Sequence, residues 1–286
     1  METKRSATSI LLLAGALLMV PTMSQSETLI PDKGVYDEAI AKQAWSTRDT
    51  YSPYAKQAYA TQVFWGDTHL HTALSVDATI FGATLGLEDA YRFARGEEVR
   101  ASSGQRIKLS RPLDFLVVAD HAEALGSMDE LIKGNPDLIK DPTLKRWREL
   151  FNSGPAGAQE AYTEMNRAST EGTTPEALND PKLLRTVWDK YVKTGDRFNE
   201  PGRFTALLGY EYTSNYKTNN LHRVVIYRDS EDRVRELLPF SALDSENPED
   251  LWSSLQAYEA KTGGQVLAIP HNGNMSGGMM FALSTF

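Results

Sequence analysis

The sequence predicts an α/β fold, a barrel in which strands alternate with helices. Three observations point there: apolar runs of strand length, punctuated helical stretches between them, and histidines set beside those runs. Residues 63–71 suit a first strand, and residues 87–95 a short helix stopped by Gly96. Residues 113–119 (LDFLVVA) are almost continuously apolar, as in a strand covered on both faces of a parallel sheet. Residues 126–200 are charged and helical in pattern and read as an insertion. Within it, Asp141-Pro142 and Asp180-Pro181 each pair an N-cap with a proline at the first helical position. Leu184, Val187, Trp188, Tyr191 and Val192 then form one apolar stripe, with Gly195 as a C-terminal stop. Packing against one side of the barrel is the expectation for this insertion, and a lid or substrate wall is the alternative.

The alternation resumes with strands over residues 204–210 and 221–227. The link of residues 211–220 is short for a helical crossover, so these two strands are expected to run antiparallel. A helix starts at Asn247-Pro248, carries Leu251, Trp252, Leu255 and Tyr258, and ends at Gly263-Gly264. Residues 265–269 make the next strand.

Composition narrows the function classes. Of 286 residues, 41% are hydrophobic and 24% charged, enough for a globular core. The formal net charge of −8 argues against nucleic acid and anionic membranes as partners. The chain has no cysteine, which excludes disulfides, thiolate metal sites and a cysteine nucleophile. Residues 1–26 read as a secretory signal: Lys4 and Arg5, an apolar run over residues 10–20, Pro21, then Ser24-Gln25-Ser26 with small residues in an A-x-A-like pattern. The expected product is exported, periplasmic or secreted, with no membrane attachment after cleavage. Residues 27–62 read as an N-terminal leader and residues 63–286 as the barrel domain that holds the insertion.

The chemistry lies in the histidines. His69 and His71 are two apart on a strand, so both rings share one face, together with Asp67. The other three histidines are placed alike: His121 follows the apolar run at 113–119, His222 lies in the strand at 221–227, and His271 follows the strand at 265–269. Barrel active sites form where strands meet loops. Asp77, Asp120, Glu123 and Glu211 occupy matching places. Together these make a nitrogen/oxygen donor set without thiolate, suited to Zn, Mn or Fe. Glu211, if it bridges, would set two ions ~3.5–4 Å apart.

The segments GDTHLHT, DFLVVADHAE, GYEYT, LHRVV and IPHNGN, in that order, resemble the successive motifs of the PHP (polymerase and histidinol phosphatase) superfamily. FWGDTHLHT and AIPHNGNMSGGMMF are similar to an exported branch of unknown function, DUF3604. The resemblance implies a distorted TIM-type (β/α)7 barrel holding two or three divalent ions. It implies His69 and His71 as ligands of a first ion, Glu211 as a bridge, His222 and His271 on a second, and Asp77 and His121 on a third. The superfamily's final Asp-x-His has no counterpart after His271, so the expectation is a C-terminally truncated, incomplete barrel with weak activity.

The function expected is hydrolysis of a small phosphorylated molecule by a metal-bridging hydroxide. An amidohydrolase-type hydrolase and a non-catalytic metal-binding protein are the alternatives. Arg223, Asn272 and Asn274 are candidates for substrate contact; a surface salt bridge is the plainer reading of Arg223, and turn formation that of the glycine-rich loop.

Overall fold

A computed structural model describes residues 62–281. The predicted signal and nearly all of the predicted leader lie outside them. Five strands form one curled, half-barrel sheet: β1 (Gly66–Leu70), β4 (Phe115–Val118), β5 (Thr205–Tyr212), β6 (Arg223–Tyr227) and β7 (Val266–Pro270). A two-stranded hairpin, β2 (Val99–Arg100) with β3 (Arg106–Ile107), stands apart from it. Eight α-helices accompany the strands among the described residues: α1 (Val76–Ile80), α2 (Leu87–Ala94), α3 (Ser127–Lys133), α4 (Pro142–Asn152), α5 (Pro155–Thr170), α6 (Pro181–Phe198), α7 (Glu231–Val234) and α8 (Pro248–Thr262).

The sheet order is β1-β4-β5-β6-β7. β1, β4 and β5 are parallel, as helical crossovers require. β5–β6 and β6–β7 are antiparallel. The short link at residues 211–220 therefore has the predicted effect on strand direction. The apolar run at 113–119 is β4, whose Leu116, Val117 and Val118 are fully buried between two layers.

Alternation along the strands sorts these layers. Val117, Ala119, Val224 and Ile226, with Leu207, form a small cluster on the concave inner face. Leu116, Val118, Leu208, Tyr210, Val225 and Tyr227 join the main core beneath the helices. On β7 the inner-face residues Leu267 and Ile269, paired with Ile226 and Val224, are 53% and 40% exposed.

The predicted insertion at 126–200 divides in two. α6 packs on the main core through Trp188, Tyr191 and Val192, with Trp188 stacked on Tyr191 at 5.4 Å. Residues 127–179 instead build a satellite core around Leu131, Leu138, Leu144 and Trp147, and Val76 of α1 packs against it. Both Asp-Pro caps form as expected: Asp141 accepts from Thr143 N at 2.7 Å, and Asp180 from Lys182 N at 2.7 Å.

Gly195 is a correction. It does not stop α6, which runs on to Phe198. A Cβ at Gly195 would meet Leu208 Cδ2 at 2.4 Å and the Tyr91 hydroxyl at 2.9 Å. Its glycine is needed for helix–sheet contact rather than for a cap.

Candidate metal centre

Four chain segments end, and one begins, at the same rim of the sheet. His71 follows β1, His121 follows β4, Glu211 is the penultimate residue of β5, and His271 follows β7. β6 runs the opposite way, so its contribution, His222, comes just before its first residue. Backbone bonds fix this rim: Glu211 N donates to Asp120 O at 3.0 Å, Ala122 N to Glu211 O at 2.9 Å, and His271 N to His222 O at 3.3 Å. Glu211 lies inside β5, one residue before its end, rather than after the strand.

Glu211 is the hub. Its carboxylate is 1% exposed and meets histidines on both oxygens. Oε2 lies 3.0 Å from His69 Nε2 and 2.7 Å from His71 Nε2. Oε1 lies 2.7 Å from His222 Nδ1 and 2.9 Å from His271 Nε2. The rings crowd one another, with His69 and His271 centroids 4.1 Å apart and His71 and His121 centroids 4.7 Å apart. Two strand residues earlier, on the same inner face, a Cβ at Gly209 would meet Val225 O at 2.5 Å and Val117 Cγ1 at 2.7 Å. Glycine there lets β4 and β6 close around the base of the Glu211 side chain.

A second corner joins His71, Asp77 and His121. Asp77 Oδ1 and Oδ2 each lie 3.1 Å from His71 Nδ1, and Oδ2 lies 3.3 Å from His121 Nε2. His121 Nδ1 bonds the Thr213 hydroxyl. Ligand atoms within each of three groups fall within 4.8 Å of one another: His69/His71/Glu211, His71/Asp77/His121 and Glu211/His222/His271. All seven residues the sequence proposed as ligands therefore converge, and each group could hold a metal ion. His71 stands in two groups through different nitrogens; a neutral imidazole has one lone pair for an ion, so it serves one group at a time.

Electrostatics follow from this crowding. Burial would raise the Glu211 carboxyl, but hydrogen bonds from His222, His271, His69 and His71 outweigh it and hold it far below the carboxylate range. Asp77 is likewise held low: burial opposes this, and bonds with His121, His71 and Ser75 overcome it. Burial would lower the His71 pKa, yet the bonds to Asp77 and Glu211 carry it up to about 10. Against the same burial, Asp77 and Glu211 raise His121. The two carboxylates are thus held ionised among the imidazoles.

The remaining candidates lie elsewhere. Exposed Asp67 accepts the His69 backbone N–H at 2.8 Å. Asp120 is fully buried and accepts from Thr72 N at 2.5 Å and the Thr72 hydroxyl at 2.8 Å. Glu123 Oε1 accepts from Ala242 N at 2.6 Å and Thr213 N at 3.3 Å, so it ties loops beneath the rings. Asn272, in the left-handed region at φ 55°, and Asn274 are exposed, and among the described residues neither side chain bonds the histidines.

Arg223 corrects both sequence readings. It is 4% exposed, and its guanidinium donates to Leu221 O and, at 3.2 Å, to Met280 O, 5.3 Å from the Trp252 ring. Strand alternation explains this. His222 and Val224 share the inner face, so Arg223 between them points to the helical layer. Sequence reasoning missed Ser75, Thr213 and Asn215, whose side chains touch His71, His121 and His222. The signal available was their nearness in sequence to Asp77, Glu211 and His222.

The chain is a mixed α/β half-barrel whose imidazoles and carboxylates, gathered at one rim, could hold a metal ion. The chain belongs to the family described as protein of unknown function DUF3604, whose signature matches residues 58–286. No curated protein and no solved structure matches the chain.

Proposed function

We propose that the chain is an exported metal-dependent hydrolase of the PHP type, acting on a small phosphoester. One observation carries this reading: the two oxygens of Glu211 are divided between two histidine pairs, Oε2 facing His69 and His71 and Oε1 facing His222 and His271. A carboxylate so placed suits a bridge between two ions, with Asp77 and His121 available to a third. The donors are imidazole and carboxylate only, which fits Zn, Mn or Fe. When bound, such ions supply an activated water and neutralise charge on a phosphate.

The chain's own residues set the direction of approach. The His69 side chain is 33% exposed, whereas those of His71, His121, His222 and His271 are 12% to 18% exposed. Substrate therefore enters over His69, with the other rings behind it. The curled sheet and the order of the five motifs support a (β/α)7 barrel of PHP type. Among the described residues no helix is long and apolar enough to cross a membrane. Export rests on the composition of residues 1–26, and a small-molecule partner rather than nucleic acid on the net charge of −8.

The test is metal content by mass spectrometry together with turnover of p-nitrophenyl phosphate, before chelation, after it, and after metal is restored. Bound divalent metal and chelator-reversible turnover are expected, with turnover lost and metal content reduced in Glu211→Ala. Turnover indifferent to chelation, or a protein that takes up no metal, would overturn the reading.

A further inference from the structure

Ser75 sits where a serine ordinarily caps a helix. It is the N-cap of α1, with extended backbone at φ −87° and ψ 133°, yet its side chain makes no cap hydrogen bond. The N–H of Ala78, which a cap would satisfy, is taken at 2.6 Å by Asp77 Oδ1. The Ser75 hydroxyl, 0% exposed, turns the other way. A carboxylate only accepts, so the hydroxyl donates to Asp77 Oδ1 at 2.7 Å. Its oxygen accepts from His121 N at 3.3 Å and lies 3.2 Å from His71 Nδ1. One donor and two acceptor positions are thereby filled by the three residues of one corner.

We propose that Ser75 is a positioning residue, a helix-cap serine diverted to hold the Asp77 carboxylate between the His71 and His121 rings. The inference rests on the metal-hydrolase reading and adds to it a division of labour. Ser75 governs the His71–Asp77–His121 corner and leaves the Glu211–His222–His271 group alone. Its hydroxyl keeps Asp77 Oδ1 occupied, so that Oδ2 faces His121 Nε2. On the far side the Thr213 hydroxyl bonds His121 Nδ1, so the ring is fixed from both directions.

The test uses the full chain and Ser75→Ala. Imidazole ¹⁵N resonances are recorded in metal-free protein, and Mn²⁺ is then titrated by calorimetry. The expected result is a change in the His71 and His121 signals with His222 and His271 unmoved. One binding event should weaken about 10- to 100-fold, the usual cost of losing an outer partner of a ligand, while another keeps its affinity. Ser75→Cys fills the site with a somewhat larger group and a far weaker donor, and should give the same pattern if the alanine variant folds poorly. Unchanged ring signals in both variants would overturn the inference even if the wild type binds no Mn²⁺, an outcome that would separately count against the metal reading. Equal weakening of every binding event would overturn it too, because that marks general loosening.

Discussion

Thr72 and Asp120 are joined by two hydrogen bonds, from the Thr72 backbone N–H and from its hydroxyl, both to a carboxylate fully buried in the sheet. Thr72 follows His71 and Asp120 precedes His121. The pair therefore locks β1 to β4 one residue away from two of the clustered histidines. Thr72→Val removes the hydroxyl and leaves a buried carboxylate oxygen short of a donor. The expected cost is about 1–3 kcal/mol, read from urea unfolding of metal-free protein. A change under about 0.5 kcal/mol would show that the clamp contributes nothing.

Asp120 also gives the fold a pH dependence of definite sign. Burial pushes its carboxyl up to about 6, although the Thr72 bonds pull the other way. Between pH 4 and 6 the folded chain thus holds a proton that the unfolded chain has released. Stability from this group falls as pH rises through that window, by about 3 kcal/mol across two pH units. Asp120→Asn keeps the shape and should flatten the profile there. Denaturant midpoints of the two proteins measured across pH 4 to 7 decide it; parallel profiles would remove Asp120 as the cause.

Metal uptake should release protons. In metal-free protein His71 is carried to about 10, so at neutral pH it holds a proton that must leave before its ring can serve as a ligand. Calorimetric titration at pH 7 in buffers of different ionisation enthalpy should show net release, with affinity climbing as pH rises. Heats independent of buffer would contradict the protonated cluster.

Gly209→Ala should damage fold and centre together. The added methyl meets a β6 backbone oxygen and a β4 side chain, neither of which is a flexible tip. Overpacking of this kind costs about 1–3 kcal/mol. Because Glu211 is the next residue on that face, metal content should fall with thermal midpoint. A stable variant with full metal content would mean that β4 and β6 can part without disturbing Glu211.

Much of this was legible because the local signals were short-range. The two-residue spacing of His69 and His71, the short link that made β5 and β6 antiparallel, and the two Asp-Pro caps each depend on neighbours in sequence. What stayed hidden depends on packing. Gly195 read as a stop because a glycine's approach to Leu208 and Tyr91 leaves no mark along the chain. Arg223 read as a surface or substrate residue because the inward side of β6 was unassigned, and period-two alternation sends it to Trp252. Residues 126–200 read as one insertion because a satellite core and a main-core helix carry the same helical pattern. Ser75 and Thr213 drew no reading because hydroxyls acquire meaning only from what the fold places opposite them.

The placement of Glu211 has a consequence for assembly. β5 is paired on both sides, to β4 in parallel and to β6 in antiparallel. A slip of β5 by one residue against its neighbours would turn Glu211 to the helical layer and bring Tyr210 or Tyr212 to the rim. His69, His222 and His271 would then face a phenol in place of the carboxylate that gathers them, while Asp77 would still join His71 and His121. On the proposed reading, the two ligand groups built on Glu211 exist only when β5 has paired in register, so ion uptake by them reports the correctly threaded sheet.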